Sequence, residues 1–405
     1  MSELLTNELN IRISEDGILG SQINMQGLSG AKVKILIDGV PVIGRIDGNI
    51  DLNQINLNDI ERVEVVEGPM SVQYGTDAVA GTINLITKRK YLSKPEIELN
   101  SYVENVGRYN FDGNVKFPIG KFQGNVSLGR YYFDGFHPND EDRNLQWNPK
   151  EQYFASLGLQ KRFKNFTLRY RADIFDEEII NLGNPGSIDS LIEPVDTGAW
   201  KYPRALDDYY KTLRINNSLF TDYYLKPDMK IKAFVAYNYF RRIKNTYLKN
   251  LSTAESRPFT GLDAQDTTAF GSFTSRMFFE HDWLPEKLNY QFGYDVMYEE
   301  NIGQRIEGGY QNVTDAALFT LWEYQPVSAL KIQPGFRYAY NSRFDAPLIS
   351  SLALRFEPVE NLVIRGSYGQ GFRAPSLKEL YFLFVDENHN ILGNENLKAE
   401  TANNY

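Results

Sequence analysis

Cysteine is absent from the sequence, so the fold has no disulfide and no thiolate metal site to draw on. Histidine is scarce: His137, His281 and His389 are the three in the chain. No GxSxG elbow, HExxH pair, paired-His zinc spacing or Walker loop is present. No enzymatic activity, metal or cofactor is therefore expected. Positive charge is in deficit, 43 Lys and Arg against 52 Asp and Glu, for a net charge of -9. Such a chain displaces few counterions from phosphates, which disfavours a nucleic-acid partner. Long apolar runs are also missing. Nowhere do about 18 apolar residues follow one another, which removes a transmembrane helix but not a transmembrane strand. The opening "MSELLTNELN" lacks the charged-then-apolar order of an export signal, so the chain reads either as cytoplasmic or as a piece of a longer precursor.

Aromatic residues, by contrast, are plentiful: 26 Tyr and 25 Phe bring the aromatic share to 14%. Mean hydropathy is nevertheless only -0.42. A sheet with one face in an apolar medium and the other in water averages out in this way, because neighbouring residues point to opposite faces. From about residue 95 the sequence alternates with period two. Ile97, Leu99 and Val103 are interleaved with Glu96, Glu98, Asn100 and Glu104. Leu168, Tyr170, Ala172 and Ile174 are interleaved with Arg169, Arg171 and Asp173, and Tyr290, Phe292 and Tyr294 with Asn289, Gln291 and Asp295.

The connections sharpen this reading. Tight turns are expected near 118–121, 164–165, 226–229, 284–287, 326–329 and 358–361. Longer polar loops are expected near 134–150, 176–206, 247–265, 300–313 and 373–397, with a shorter link at 341–346. Tight and long connections take turns, so an up-and-down sheet would carry its tight turns at one end and its loops at the other. A soluble sandwich also alternates, but strands of ten or more residues suit a tilted bilayer crossing better than its usual five or six. The fold class is thus mainly β, a transmembrane antiparallel β-barrel of which about 13–14 strands are present. No closing strand follows, and two open edges are not tolerated in hydrocarbon, so truncation at both ends is expected, as is failure of this piece to insert alone.

Residues 1–90 read differently, as a small α+β domain ahead of a barrel at 91–405. "VKILIDGVPV" is two short β-runs around the turn pair Asp38-Gly39. Asn58-Asp59-Ile60-Glu61 offers a capping-box helix start, followed by a strand over Val63–Val66. Gly68, Pro69, Gly75 and Gly81 then crowd a short turn before the strand "AGTINLIT". So much glycine permits close backbone approach, as needed in a unit folded tightly enough to fit inside a cylinder.

"ILIDGVPV" followed by "IERVEVVEGPMSVQYGTDAVAGTINLITKR" resembles the plug signature of TonB-dependent outer-membrane receptors, and "GFRAPSLKELYF" with "GNENLKAE" is similar to a box in their barrels. The resemblance covers essentially the whole chain. It implies a plug inside the lumen of a barrel of about 22 strands, location in the bacterial outer membrane, and TonB-dependent uptake of a scarce nutrient bound between plug apex and outer loops. The implied partners are the small ligand, outer-membrane lipids and TonB, reached through a TonB box that this sequence lacks; a surface lipoprotein is a further candidate. The signature positions Asp38, Gly39, Glu61, Arg62, Gly68, Pro69, Tyr74, Gly75 and Gly81 would then shape or gate the plug. Two departures stand out. Met25-Gln26-Gly27 replaces the family's "IRG", and Glu67 replaces an arginine before Gly-Pro. The ion pairs those arginines make with barrel glutamates are not expected here.

The ligand stays open. A ferric siderophore leads because it is a common cargo in the family, with haem and cobalamin as other cargoes. His389, between "FRAP" and "GNENL", lies where haem receptors of the family place a ligand to iron. Arg373, Trp147, Trp200, Tyr202 and Arg204 could supply stacking and carboxylate pairing for an aromatic or anionic cargo, although interface anchoring and loop folding suit any one of the loop residues better. Asp140-Glu141-Asp142 offers hard oxygens for calcium, yet fits a solvated loop better. A passive porin, which needs no domain ahead of the barrel, and a non-transporting adhesin are the competing functions.

Overall fold

The computed structural model of the chain describes residues 11–18, 20–46, 48–68, 71–89, 92–138, 143–185, 204–261, 264–385 and 390–405. Its N-terminal part holds two small sheets. Strands β1 (Ile11–Asp16), β2 (Gly20–Met25) and β3 (Leu28–Ser29) form one antiparallel ribbon. Strands β4 (Val33–Ile37), β5 (Val40–Pro41), β6 (Ile60–Glu67) and β7 (Gly81–Thr87) form the other, in the order β5-β4-β7-β6. The two sheets pack on one apolar cluster that includes Ile23, Met25, Ile35, Leu52, Ile83 and Leu85. Asp38 and Gly39 turn the β4–β5 hairpin with φ of 51° and 85°, both left-handed as a two-residue hairpin turn requires. A one-turn helix, α1 (Ser71–Tyr74), bridges β6 and β7.

The rest is one antiparallel sheet of 15 strands, nearly all neighbours in sequence. It runs through β8 (Glu96–Glu104), β9 (Arg108–Ile119), β10 (Phe122–Phe133), β11 (Lys150–Arg162) and β12 (Phe166–Leu182). It continues with β13 (Arg204–Lys226), β14 (Met229–Asn250), β16 (Gln265–Leu284), β17 (Leu288–Gly303) and β18 (Tyr310–Val327). Strands β19 (Leu330–Asn341), β20 (Ile349–Val359), β21 (Leu362–Arg373) and β24 (Glu400–Asn404) complete the path, and the short β15 (Ser256–Pro258) hangs off β14. Between β21 and β24 lie helix α2 (Leu377–Tyr381) and a small hairpin, β22 (Leu383–Val385) with β23 (Asn390–Leu392). The number of staves matches the sequence expectation, and all six expected tight turns fall between consecutive strands.

Burial on this sheet is inside out. On β16, Phe273 and Met277 are 45% and 37% exposed, while the residues between and beside them, Ser272, Thr274 and Arg276, are 1%, 2% and 8% exposed. The same holds on β14, where Val235 and Tyr237 point out and Ala236 and Asn238 point in. Polar side chains are covered and apolar ones bare, the reverse of a soluble sandwich and the arrangement of a lipid-facing barrel. What covers the polar face is the N-terminal domain. It is contacted by β9 and β10 through Asn114 and Asn125, by β12 to β14 through Arg171, Arg214 and Asn238, and by β21 through Phe372. The chain is therefore a partial transmembrane β-barrel with a plug seated in its lumen.

Two local expectations fail. Asn58 to Glu61 start no helix. Asn58 and Asp59 make a turn, closed by the Ile60 amide donating to the Leu57 carbonyl at 2.9 Å, and β6 begins at Ile60. The Asp59 carboxylate, instead of belonging to a helix start, is taken by the barrel. The loop expected from 176 begins later, because β12 pairs with β13 as far as Leu182. At the loop end, moreover, the β8–β9 connection at 105–107 is itself a tight turn. The inside-out pattern makes a direct prediction. Phe273→Arg puts a charge on the lipid face at mid-strand and should cost about 2–4 kcal/mol in denaturant titrations of folding into phospholipid vesicles. A cost near zero would mean that this face meets no lipid.

Candidate functional site

The plug is held mainly by donors on the wall and acceptors on the plug; Gln54 donates the other way, to Glu177 of β12 at 2.9 Å. Asp59 is 2% exposed. Its carboxylate accepts from Asn114 of β9 at 2.8 Å and from Asn125 of β10 at 3.1 Å, and Arg171 of β12 lies 3.6 Å away. Two positions earlier on β12, Arg169 stands 3.3 Å from Asp38. Arg214 of β13 donates to the Ile43 carbonyl at 2.6 Å and to Gln54 at 3.1 Å, and Arg242 of β14 to the Ile18 carbonyl at 2.6 Å. Several of these guanidiniums lie over wall aromatics: Arg169 over Phe220 at 4.2 Å and Arg214 over Phe240 at 4.8 Å. The rings supply a cation–π surface that pre-orients each arginine toward the lumen. Gly44 lets the plug approach there, since a Cβ would meet the Phe240 ring at 2.3 Å.

Asp38 is the best-supported of the signature residues. Burial works against its ionisation, but Arg169, Arg89 and hydrogen bonds from Thr87 outweigh it and hold the carboxyl below its usual range. The Thr87 amide donates at 3.1 Å, the Thr87 hydroxyl at 2.6 Å and Arg89 at 3.0 Å. One turn residue therefore ties the β4–β5 hairpin to the end of β7 and to the wall.

Above the plug, toward the loop end, lies a cavity of about 690 Å³. Its floor is plug: Lys34, Arg45 and Asp77. Its walls are Met297, Glu299 and Asn301 of β17, Asp315 of β18, and the Arg373–Glu379 segment. The cations of the floor are occupied by backbone. Lys34 donates to the Thr76 carbonyl at 2.9 Å, and Arg45 to the carbonyls of Gly30, Gly48 and Val33 at 3.0, 3.0 and 2.6 Å. Desolvation pushes the Lys34 ammonium below its ordinary range, against the opposing pull of Asp77, and brings Arg45 down to about 10. Half-buried Asp77 is pushed up by desolvation, with Lys34, Arg373 and Arg45 restraining the shift. At the rim, Arg373 donates to Glu400 at 3.0 Å and to both oxygens of Glu379 at 2.6 Å. Ser376 and Glu379 close a capping box that starts α2, the "APSLKEL" stretch whose Ser-x-x-Glu spacing was there to be read.

Of the residues singled out in the sequence, Arg373 reaches this cavity and Arg204 does not: it opens β13 and lines no part of it. Trp200, Tyr202, His389 and Pro69 lie outside the described residues. Gly39 donates its amide to Asn84 at 3.0 Å, and Gly68, with φ of 85°, to the Ala80 carbonyl at 2.9 Å. Gly75 (φ 82°) sits where a Cβ would come 3.1 Å from Arg337, and at Gly81 one would meet Met25 at 2.4 Å. Tyr74, half-buried, has its phenol pushed up by burial. Glu61 and Arg62 are exposed on β6, Arg62 pairing with Glu64 at 2.8 Å. At the departed arginine positions, Gln26 donates to Glu67 at 3.2 Å, a contact within the plug. Lys34, Arg45 and Asp77 were not foreseen; single charges in short apolar runs were their signal.

A plug gripped by the lumen-facing side chains of the wall, with an open cavity above it, defines a plugged β-barrel. Residues 1–82 match the family model "TonB-dependent Receptor Plug Domain" and residues 99–405 match "TonB dependent receptor-like, beta-barrel". The chain belongs to the TonB-dependent receptor family. It is 24% identical over 391 residues to the vitamin B12 transporter BtuB of Vibrio vulnificus (strain CMCP6), covering 93% of this chain and 58% of that protein. Its fold is similar to the ferric enterobactin receptor PfeA of Pseudomonas aeruginosa, with a TM-score of 0.75 at 15% identity, over 99% of this chain and 64% of that one. It is also similar to the siderophore receptor PirA of Acinetobacter baumannii, with a TM-score of 0.74 at 14% identity, over 97% and 63%. The chain thus spans less than two thirds of these relatives.

Two outcomes test the grip. Asp59→Ala should cost about 2–4 kcal/mol of plug stability, because three wall donors lose one buried carboxylate; urea titration followed by limited proteolysis of the plug measures it. Asp38, with a depressed folded pKa, contributes stability that is complete above its unfolded value and is lost as pH falls through the folded one. Acidification should therefore release the plug only below the ordinary Asp range, and Asp38→Asn should lose that dependence in the same proteolysis assay.

Proposed function

We propose that this chain is the plug and part of the barrel of an importer that takes a scarce nutrient across the bacterial outer membrane, energised through TonB. The observation that carries the reading is the cavity above the plug, whose floor belongs to one domain and whose walls belong to the other. A solute held there touches the plug itself, so a pull on the plug changes the site. TonB would act through a TonB box outside this sequence. The role is non-enzymatic: binding and passage.

For the cargo, a ferric siderophore is the leading candidate, supported by the fold likeness to PfeA and PirA; vitamin B12 is the second, supported by the likeness to BtuB. A passive porin is disfavoured because plug side chains fill the lumen face that a porin leaves to water. Growth of a deletion strain on a panel of ferric siderophores, haem and vitamin B12 tests the reading. Loss of growth on a single source is expected and names the cargo. Unchanged growth and uptake on every source would contradict import.

A further inference from the structure

The plug is not held equally all round. On the β9–β12 side Asp59 is gripped by three strands, and Asp38 is paired beside it. Apolar contacts fix two more places: Val40 packs on Phe220 and Ala236, and Val72 of α1 on Ile349 and Phe372. Between those two contacts, along β16 to β19, the interface is polar and poorly satisfied. Here a small cavity of about 20 Å³ lies between Tyr74, Gly75 and Thr76 of the plug and Thr274, Arg276 and Arg337 of the wall. Among the described residues, buried atoms without a hydrogen-bond partner gather on this wall: the hydroxyls of Ser272 and Thr274, Nε of Arg276, and Nε and Nη1 of Arg337; β12 and β13 together hold three, Nη1 of Arg169, the Thr212 hydroxyl and Nε of Arg214. The contact across it is to main chain, Arg276 donating to the Gln73 carbonyl.

The same small cavity shares Lys34, Pro41, Thr76, Met297 and Asp315 with the large one above it. A further cavity of about 50 Å³ beside Asp59 shares no residue with either. We infer that the way through the barrel opens along the seam between the plug and β16–β19, with the grip on Asp59 as the fixed side. This rests on the importer reading above and names the wall along which its passage forms. Orphaned donors are the favourable place to open such a path: they gain partners when water or a polar solute enters, whereas opening at Asp59 would strand a carboxylate and three donors.

These 405 residues hold no cysteine, so each introduced thiol is single among them, and the parent receptor without the introduced thiol is the labelling control. Thr274→Cys in the seam and Ser127→Cys beside the Asp59 grip, both buried positions, are each expressed in the full-length receptor. Intact cells are treated with a membrane-impermeant maleimide while respiring or after a protonophore. Thr274→Cys should react roughly tenfold faster in respiring cells, as local opening exposes it, and Ser127→Cys should stay unreactive in both. Ser272→Cys, one pleat along, should follow Thr274→Cys and covers the case in which that variant folds poorly. Equal labelling at Ser127 would overturn the route, since the whole plug would then leave. So would nutrient uptake that persists with Thr274→Cys and Ser272→Cys unlabelled. Absence of any nutrient uptake by the wild-type receptor is the separate outcome that sinks the importer reading and takes the route with it.

Discussion

A barrel wall in lipid has to turn its polar side chains inward, and inward-pointing charges have to be answered by something other than hydrocarbon. That constraint orders the rest of the molecule. The wall presents Arg169, Arg171, Arg214, Arg242 and Arg276 to the lumen, several over aromatic rings. The plug answers with two carboxylates and a set of main-chain carbonyls. Burying a paired charge is tolerable where its hydrogen bonds are made and costly where they are not, so the places of complete and incomplete pairing mark where the plug is anchored and where it is slack.

The polarity of this anchoring is consistent with the two departures from the family signature. With glutamine at 26 and Glu67 at the second position, the plug lacks the arginines that would reach toward wall glutamates. Here the buried pairs place the cations on the wall and the carboxylates, Asp38 and Asp59, on the plug. One half-exposed pair runs the other way, Lys32 of the plug to Glu400 of β24 at 3.2 Å. The cavity above follows from the same arrangement: the cations of its floor, Lys34 and Arg45, are spent on backbone carbonyls of the plug itself. They shape the plug apex and leave the acids of β17 and β18 facing the opening.

Much of this was legible in the sequence. Period-two alternation is a local signal, and it located the staves and both faces, because one face had to be apolar throughout; turn residues located six tight turns and missed the one at 105–107. Asp38-Gly39 announced its hairpin for an equally local reason. The Asn58–Glu61 stretch misled because a capping box and a turn share the same residue types, and what decided between them was Asn114, Asn125 and Arg171, all far along the chain. The end of β12 was hidden for a similar reason: Asp176, Glu177 and Glu178 read as a loop, although Glu177 is buried and bonded to Gln54 and Gln152. That Lys34, Arg45 and Asp77 meet at the floor of the cavity was not readable. Which of the many charged residues meet there depends on how the plug is rotated in the barrel, a relation that no window of sequence contains.

The central claim is that the wall faces lipid on one side and a seated plug on the other. A spin-label scan along β16, one site at a time from residue 272 to 277 in bilayers, measures it directly. Odd-numbered labels should collide with oxygen dissolved in the lipid, and even-numbered labels should reach neither oxygen nor an aqueous nickel reagent, because the plug occupies their side. Free access of the nickel reagent to the even-numbered sites at rest, or no alternation at all, would contradict it.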